Sequence, residues 1–157
     1  MNYFKLSAFL LFLSPLFISC EKDEDDDDDT NSSNQSAVIK GNIEGNMQQG
    51  NWELSKFIDS GQDETAKYSN YTFVFQNSNS LRASNQNTTY NGTWIITDSG
   101  SDDDNLSDLD FNITFSQPPL FAELNDDWDI VTYTATQLTL FDDDDAGPND
   151  SLVFVRK

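Results

Sequence analysis

Carboxylates are the groups this chain has in quantity: 28 Asp and Glu stand against 8 Lys and Arg, and there is no histidine. Without an imidazole, Ser-His-Asp and Cys-His machinery is excluded, as are the usual histidine-containing zinc sites. Two carboxylates can hydrolyse a glycoside when held about 5 Å or about 6.5–9.5 Å apart across a sugar. Glu53, Glu123 and many of the Asp residues could supply such a pair. Most other acidic residues fall in runs or at outward positions of alternating segments, where a solvated face is the ordinary explanation. No catalytic role is expected.

Two acidic runs have the oxygen density that a hard cation requires. One is Asp102-Asp103-Asp104-Asn105 with Asp108; the stronger is Asp142, Asp143, Asp144 and Asp145, followed by Gly147, Asn149 and Asp150. Calcium takes about six to eight oxygens from carboxylates, amides and carbonyls, and a glycine lets a loop turn around it. Neither run has the EF-hand spacing. A solvated loop is the ordinary reading and a calcium site the alternative; no other cofactor is implied. A net charge of −20 without a basic patch excludes a nucleic-acid partner, because phosphate affinity comes from clustered Lys and Arg.

The single thiol, Cys20, closes an apolar run from Leu6 to Ile18 that follows Lys5. This run covers about 20 Å, against the roughly 30 Å of a hydrocarbon core, so residues 1–19 read as a signal peptide and not a span. Leu16-Phe17-Ile18-Ser19-Cys20 resembles a bacterial lipobox, loose at Phe17 and Ser19. The resemblance implies lipid attachment at Cys20 and a membrane partner through that anchor. A lone cysteine also leaves no internal disulfide, so the domain must be held by its core.

Glu21 to Asp29 is nearly all acidic, and Thr30 to Ser36 is Ser, Asn, Gln and Thr. Such a stretch buries nothing and repels itself, so residues 20–37 are expected to form a disordered tether. An acidic cluster behind a lipidated cysteine also resembles the export signal of Bacteroidetes surface lipoproteins. That implies an outer-membrane location with the folded part facing the exterior.

The elements that must position any site begin at residue 38. Turn signals recur every eight to fifteen residues and most segments between them alternate with period two, which is the pattern of an antiparallel all-β domain over 38–157. Eight strands are expected: Asn51–Asp59, Tyr71–Asn77, Ser80–Ser84, Thr88–Asp98, Leu106–Ser116, Asp127–Thr134, Gln137–Phe141 and Ser151–Lys157. The best helical candidate is one turn over Pro119–Leu124. Inward faces are expected to carry Trp52, Leu54 and Ile58, then Phe73 and Phe75, Trp94 and Ile96, Phe111, Trp128, and Leu152 with Phe154. Periodicity alone leaves a barrel and a β-sandwich open.

Gly50-Asn51-Trp52 resembles the Gly-x-Trp that opens lipocalin and calycin barrels, and Arg156 stands where such barrels place an arginine across that tryptophan. With Tyr71 to Phe75, Gly92-Thr93-Trp94, Asp127-Trp128 and the final Leu152 to Lys157, the order of motifs resembles lipocalin-like domains of Bacteroidetes surface lipoproteins. The resemblance implies an eight-stranded antiparallel up-and-down barrel closed by Trp52 and Arg156. Its interior, lined by Trp52, Phe73, Phe75, Trp94, Phe111 and Trp128, either captures a small apolar or amphipathic ligand or is a packed core behind an interaction surface. Asp150-Ser151-Leu152 also resembles a short Bacteroidetes O-glycosylation sequon at Ser151.

Overall fold

The computed structural model describes residues 29–99, 106–142 and 149–157. In chain order the elements are α1 (Asp29–Met47), β1 (Trp52–Asp59), β2 (Gln62–Asp63), β3 (Thr72–Phe75), β4 (Ser80–Ser84), β5 (Thr89–Asp98), β6 (Leu109–Phe115), α2 (Pro119–Ala122), β7 (Asp126–Tyr133), β8 (Gln137–Asp142) and β9 (Asp150–Arg156). Single 3₁₀ turns span Thr65–Tyr68 and Leu106–Asp108.

From β3 to β9 every strand pairs antiparallel with its neighbour in sequence, and β9 returns to pair with β1 from Trp52↔Arg156 to Ile58↔Ser151. That pairing closes an eight-stranded antiparallel up-and-down barrel, as expected, and sets the sandwich aside. Closure pairs β9 along nearly the whole of one side of β1. β2 is a short extra strand folded back on the end of β1. Between β1 and β3 the ladder has one bridge, Trp52↔Phe73, so these two strands diverge on the outer wall.

Alternation fills the interior as expected along most strands. Phe73, Phe75, Leu81, Trp94, Ile96, Phe111, Trp128, Leu140, Leu152 and Phe154 are at most 3% exposed. Each such side chain contributes about 1.5–3 kcal/mol by leaving water. In β1 the register slips between Leu54 and Lys56, which reverses the phase of the strand, so Phe57 is buried and Ile58 only half-buried. The strict alternation expected through Ile58 fails at that bulge.

The larger departure is α1. The composition predicts a tether through Ala37 and no helix before the first strand; the described chain is helical from Asp29, and Ile43 and Met47 are buried against the barrel while Ile39 packs beside them. These three residues recur every four positions and form one stripe. Gly50 then takes φ +81°, a left-handed turn that releases the chain into β1, and the aliphatic stem of Arg156 covers it, with Cδ 3.3 Å from where a Cβ would stand.

Candidate functional site

The six aromatic residues expected to line a ligand site are all buried in the interior, where four of them touch one another and Phe73 and Trp128 touch other rings. Trp94 stacks on Phe111 at 5.5 Å, Phe75 meets the edge of Trp94 at 5.5 Å and of Phe111 at 5.7 Å, and Trp52 meets Phe75 at 6.5 Å. Phe73 meets Phe154 at 5.2 Å, and Trp128 meets Phe57 at 6.3 Å. These separations are those of aromatic pairs in contact. Two of the indole nitrogens are satisfied by backbone close in sequence or across a hairpin: Trp94 donates to the Gln76 carbonyl at 3.0 Å and Trp128 to the Leu124 carbonyl at 3.1 Å.

Both ends of this interior are stoppered. At the end where β1 begins, α1 lays Ile43 and Met47 on the barrel, and the Trp52 indole donates to the Met47 carbonyl at 2.9 Å. Trp52 and Arg156 are direct partners across β1 and β9, and Arg156 shares the inward side of β9 with Phe154 at this end. At the other end α2 inserts Phe121, whose ring lies 4.9 Å from Phe115, 5.0 Å from Tyr71, 5.2 Å from Tyr90 and 5.7 Å from Tyr68.

Phe121 is held from the 3₁₀ turn after β2. The Tyr68 hydroxyl donates to the Leu120 carbonyl at 2.6 Å and lies 3.2 Å from Glu123 Oε2, while Lys67 pairs with both Glu64 and Glu123. Burial, reinforced by the Glu123 carboxylate, pushes the Tyr68 hydroxyl well above the usual tyrosine range, so it remains a donor. Phe57, Tyr68 and Phe121 are the residues that the sequence reading missed, whereas Phe115 falls on the inward face that the alternation of β6 predicts; Pro118 and Pro119 marked the turn but not its inward ring.

Glu53 and Glu123 are not brought together. Glu53 pairs with Lys157 where β1 begins, and Glu123 follows α2 at the opposite end beside Lys67. Of the acidic runs, Asp102–Asn105 and Asp143–Asp145 lie outside the described residues, as do Cys20 and the signal segment. Asp142 faces Asp150 in the β8–β9 ladder, Asn149 is exposed, and Asp150 Oδ1 accepts from the Ser60 amide at 2.6 Å. Asp108 ends the 3₁₀ turn before β6. Among the described residues no group of three acidic or thiol ligands is gathered for a metal. Ser151 sits inside the β9 ladder between Phe141 and Ile58.

Like charges do meet on β6 and β7. Asp110 stands directly opposite Asp129, and partial burial followed by the Asp129 carboxylate raises the Asp110 pKa. Asp126, on the inward side of β7, is pushed up to about 6, first by burial and then by Asp142 and Asp127, against the bond it accepts from the Asp127 amide.

No family model matches the sequence, and no curated protein matches it. Among solved structures, the chain aligns with a crystal structure of an LTBP1 mutant described as being in complex with leukotriene C4. The identity is 12%, covering 72% of this chain and 69% of that one, with a TM-score of 0.36. The barrel stands on its own strand order and closure. Among the described residues no helix is long and apolar enough to cross a membrane.

Proposed function

We propose that this chain is a lipoprotein, anchored through Cys20 in an outer membrane and facing the exterior, whose barrel is a solid framework that binds partners on its outer wall and loops. The observation that carries the second half is the interior itself: Trp52, Phe73, Phe75, Trp94, Phe111 and Trp128 are at most 3% exposed and in ring contact with one another or with Phe57 and Phe154. An eight-stranded barrel is just wide enough to be filled by side chains or to hold one small ligand, and buried rings and aliphatics fill this one. The lipid anchor and the exterior location are supported by the lipobox-like end of the signal segment and the acidic run behind it. No catalytic step belongs to this reading, and it requires no cofactor.

The test is titration of the full chain with the neutral apolar fluorophore N-phenyl-1-naphthylamine. The expected result is no saturable fluorescence gain. Saturable binding at one site per chain would favour a second reading, a carrier of a small apolar ligand. What favours that reading is the slightness of the stopper at the α2 end, a four-residue helix fastened by Tyr68 and, through Glu123, by Lys67.

A further inference from the structure

On the outer wall, where β1 and β3 diverge, two adjoining hollows of about 430 Å³ and 250 Å³ share Asn70, Asn85 and Gln86. Asn51, Thr72, Val74, Arg82 and Ser84 complete the larger and Asn87 the smaller. The topology brings them together: Thr72 pairs with Ser84, so Asn70 just before β3 comes beside the turn Asn85–Thr88 just after β4. Asn85 shapes that turn, its Oδ1 accepting from the Asn87 and Thr88 amides at 2.9 and 2.8 Å. The side chains of Asn51, Asn70, Arg82, Gln86 and Asn87 are exposed, and no described residue forms an ion pair with Arg82.

The chemistry of this lining narrows what fits it. The larger hollow falls within the roughly 300–1,000 Å³ of small-molecule sites, yet those that take apolar ligands are lined by apolar side chains, and here Val74 is the one aliphatic. A cation needs carboxylates or their equivalents, and none lines either hollow in a chain with 28 of them. An anion would meet one guanidinium against a net charge of −20, whose field repels it. What remains is a neutral ligand rich in groups that both donate and accept. A carboxamide offers an acceptor oxygen and two donors in one plane, and a guanidinium offers a fork of donors, so a cluster of them matches adjacent hydroxyls of a polyol.

Building on the outer-wall reading above, we propose that this carboxylate-free groove is a binding site for a neutral oligosaccharide, with Arg82 and the carboxamides of Asn70, Gln86 and Asn87 as hydrogen-bonding partners of its hydroxyls. Two adjoining hollows imply that more than one sugar ring is held, so affinity rises from mono- to oligosaccharide.

The test is calorimetric titration of the full chain with maltohexaose, xylohexaose and mannohexaose, and with hexagalacturonate as the charged counterpart. The expected result is saturable binding of at least one neutral hexasaccharide. Binding should weaken about tenfold or more in Arg82→Ala and in an Asn70→Ala/Gln86→Ala double variant, the loss of a charged hydrogen-bond donor being of that order. These exposed substitutions should leave the melting temperature unchanged. No binding of any neutral sugar, a preference for hexagalacturonate, or binding that survives both variants would overturn the proposal. Failure of the outer-wall reading is separate: it appears as uptake of N-phenyl-1-naphthylamine, whatever the sugars do.

Discussion

The indole nitrogen of Trp52 donates to the carbonyl of Met47 at 2.9 Å, which fastens the ring at one end of the barrel to the last turn of α1. Trp52→Phe removes that donor, leaves a buried carbonyl unpaired and opens space where the ring was fully buried. An unpaired buried acceptor costs about 1–3 kcal/mol, to which lost packing adds. Urea unfolding should show this loss; a variant as stable as the parent would mean α1 is not fastened here.

At the opposite end, Phe121 contacts Phe73, Tyr68, Tyr71, Tyr90 and Phe115. Phe121→Ala should cost about 3–5 kcal/mol, the range for a buried phenylalanine, and should open the interior to N-phenyl-1-naphthylamine. If the variant stays stable and closed to the probe, α2 is not the stopper.

Gly92 lies on β5 against β6, and a Cβ there would stand 2.5 Å from the Thr114 carbonyl and 2.7 Å from Phe115 Cδ1. A backbone oxygen in a ladder cannot give way, so Gly92→Ala must shift the strand pair. The expected loss is about 1–3 kcal/mol or more, read as a lowered urea midpoint. The same contact gives the glycine of Gly92-Thr93-Trp94 its physical reason: without a side chain, position 92 lets the Phe115 ring lie across β5.

Asp126 gives stability a definite pH sign. Its carboxyl is pushed from 3.8 to about 6 in the fold, by burial above all and by Asp142. Between these values the folded chain holds a proton that the unfolded chain has released, so this contribution is complete below about 4 and is lost as pH rises through about 6. Asp126→Asn keeps an acceptor for the Asp127 amide and removes the charge. It should raise the urea midpoint at pH 7.5 and leave it nearly unchanged at pH 3.5; equal shifts at both pH values would contradict the assignment.

The strands were legible because Leu109, Phe111, Ile113 and Phe115 alternate with Asp110, Asn112 and Thr114, and a half-buried strand has no other period. Barrel closure was legible only through resemblance at Gly50, Trp52 and Arg156, since Trp52↔Arg156 joins residues from opposite ends of the domain. α1 was hidden by composition: Gly41, Gly45 and a Ser- and Asn-rich first half are poor helix formers. The spacing of Ile39, Ile43 and Met47 was its one signal. The meeting of Asn70 with Asn85 and Gln86 is likewise non-local, made by the β3–β4 hairpin and by no motif.

The most direct test of the solid-framework account is native mass spectrometry of the full-length protein expressed in, and extracted from, a lipid-rich bacterial host. The account expects the processed chain with its covalent acyl groups at Cys20 and no further bound mass. A non-covalent apolar species carried at one per chain, and released when the chain is unfolded, would show that the interior is a ligand site and contradict it.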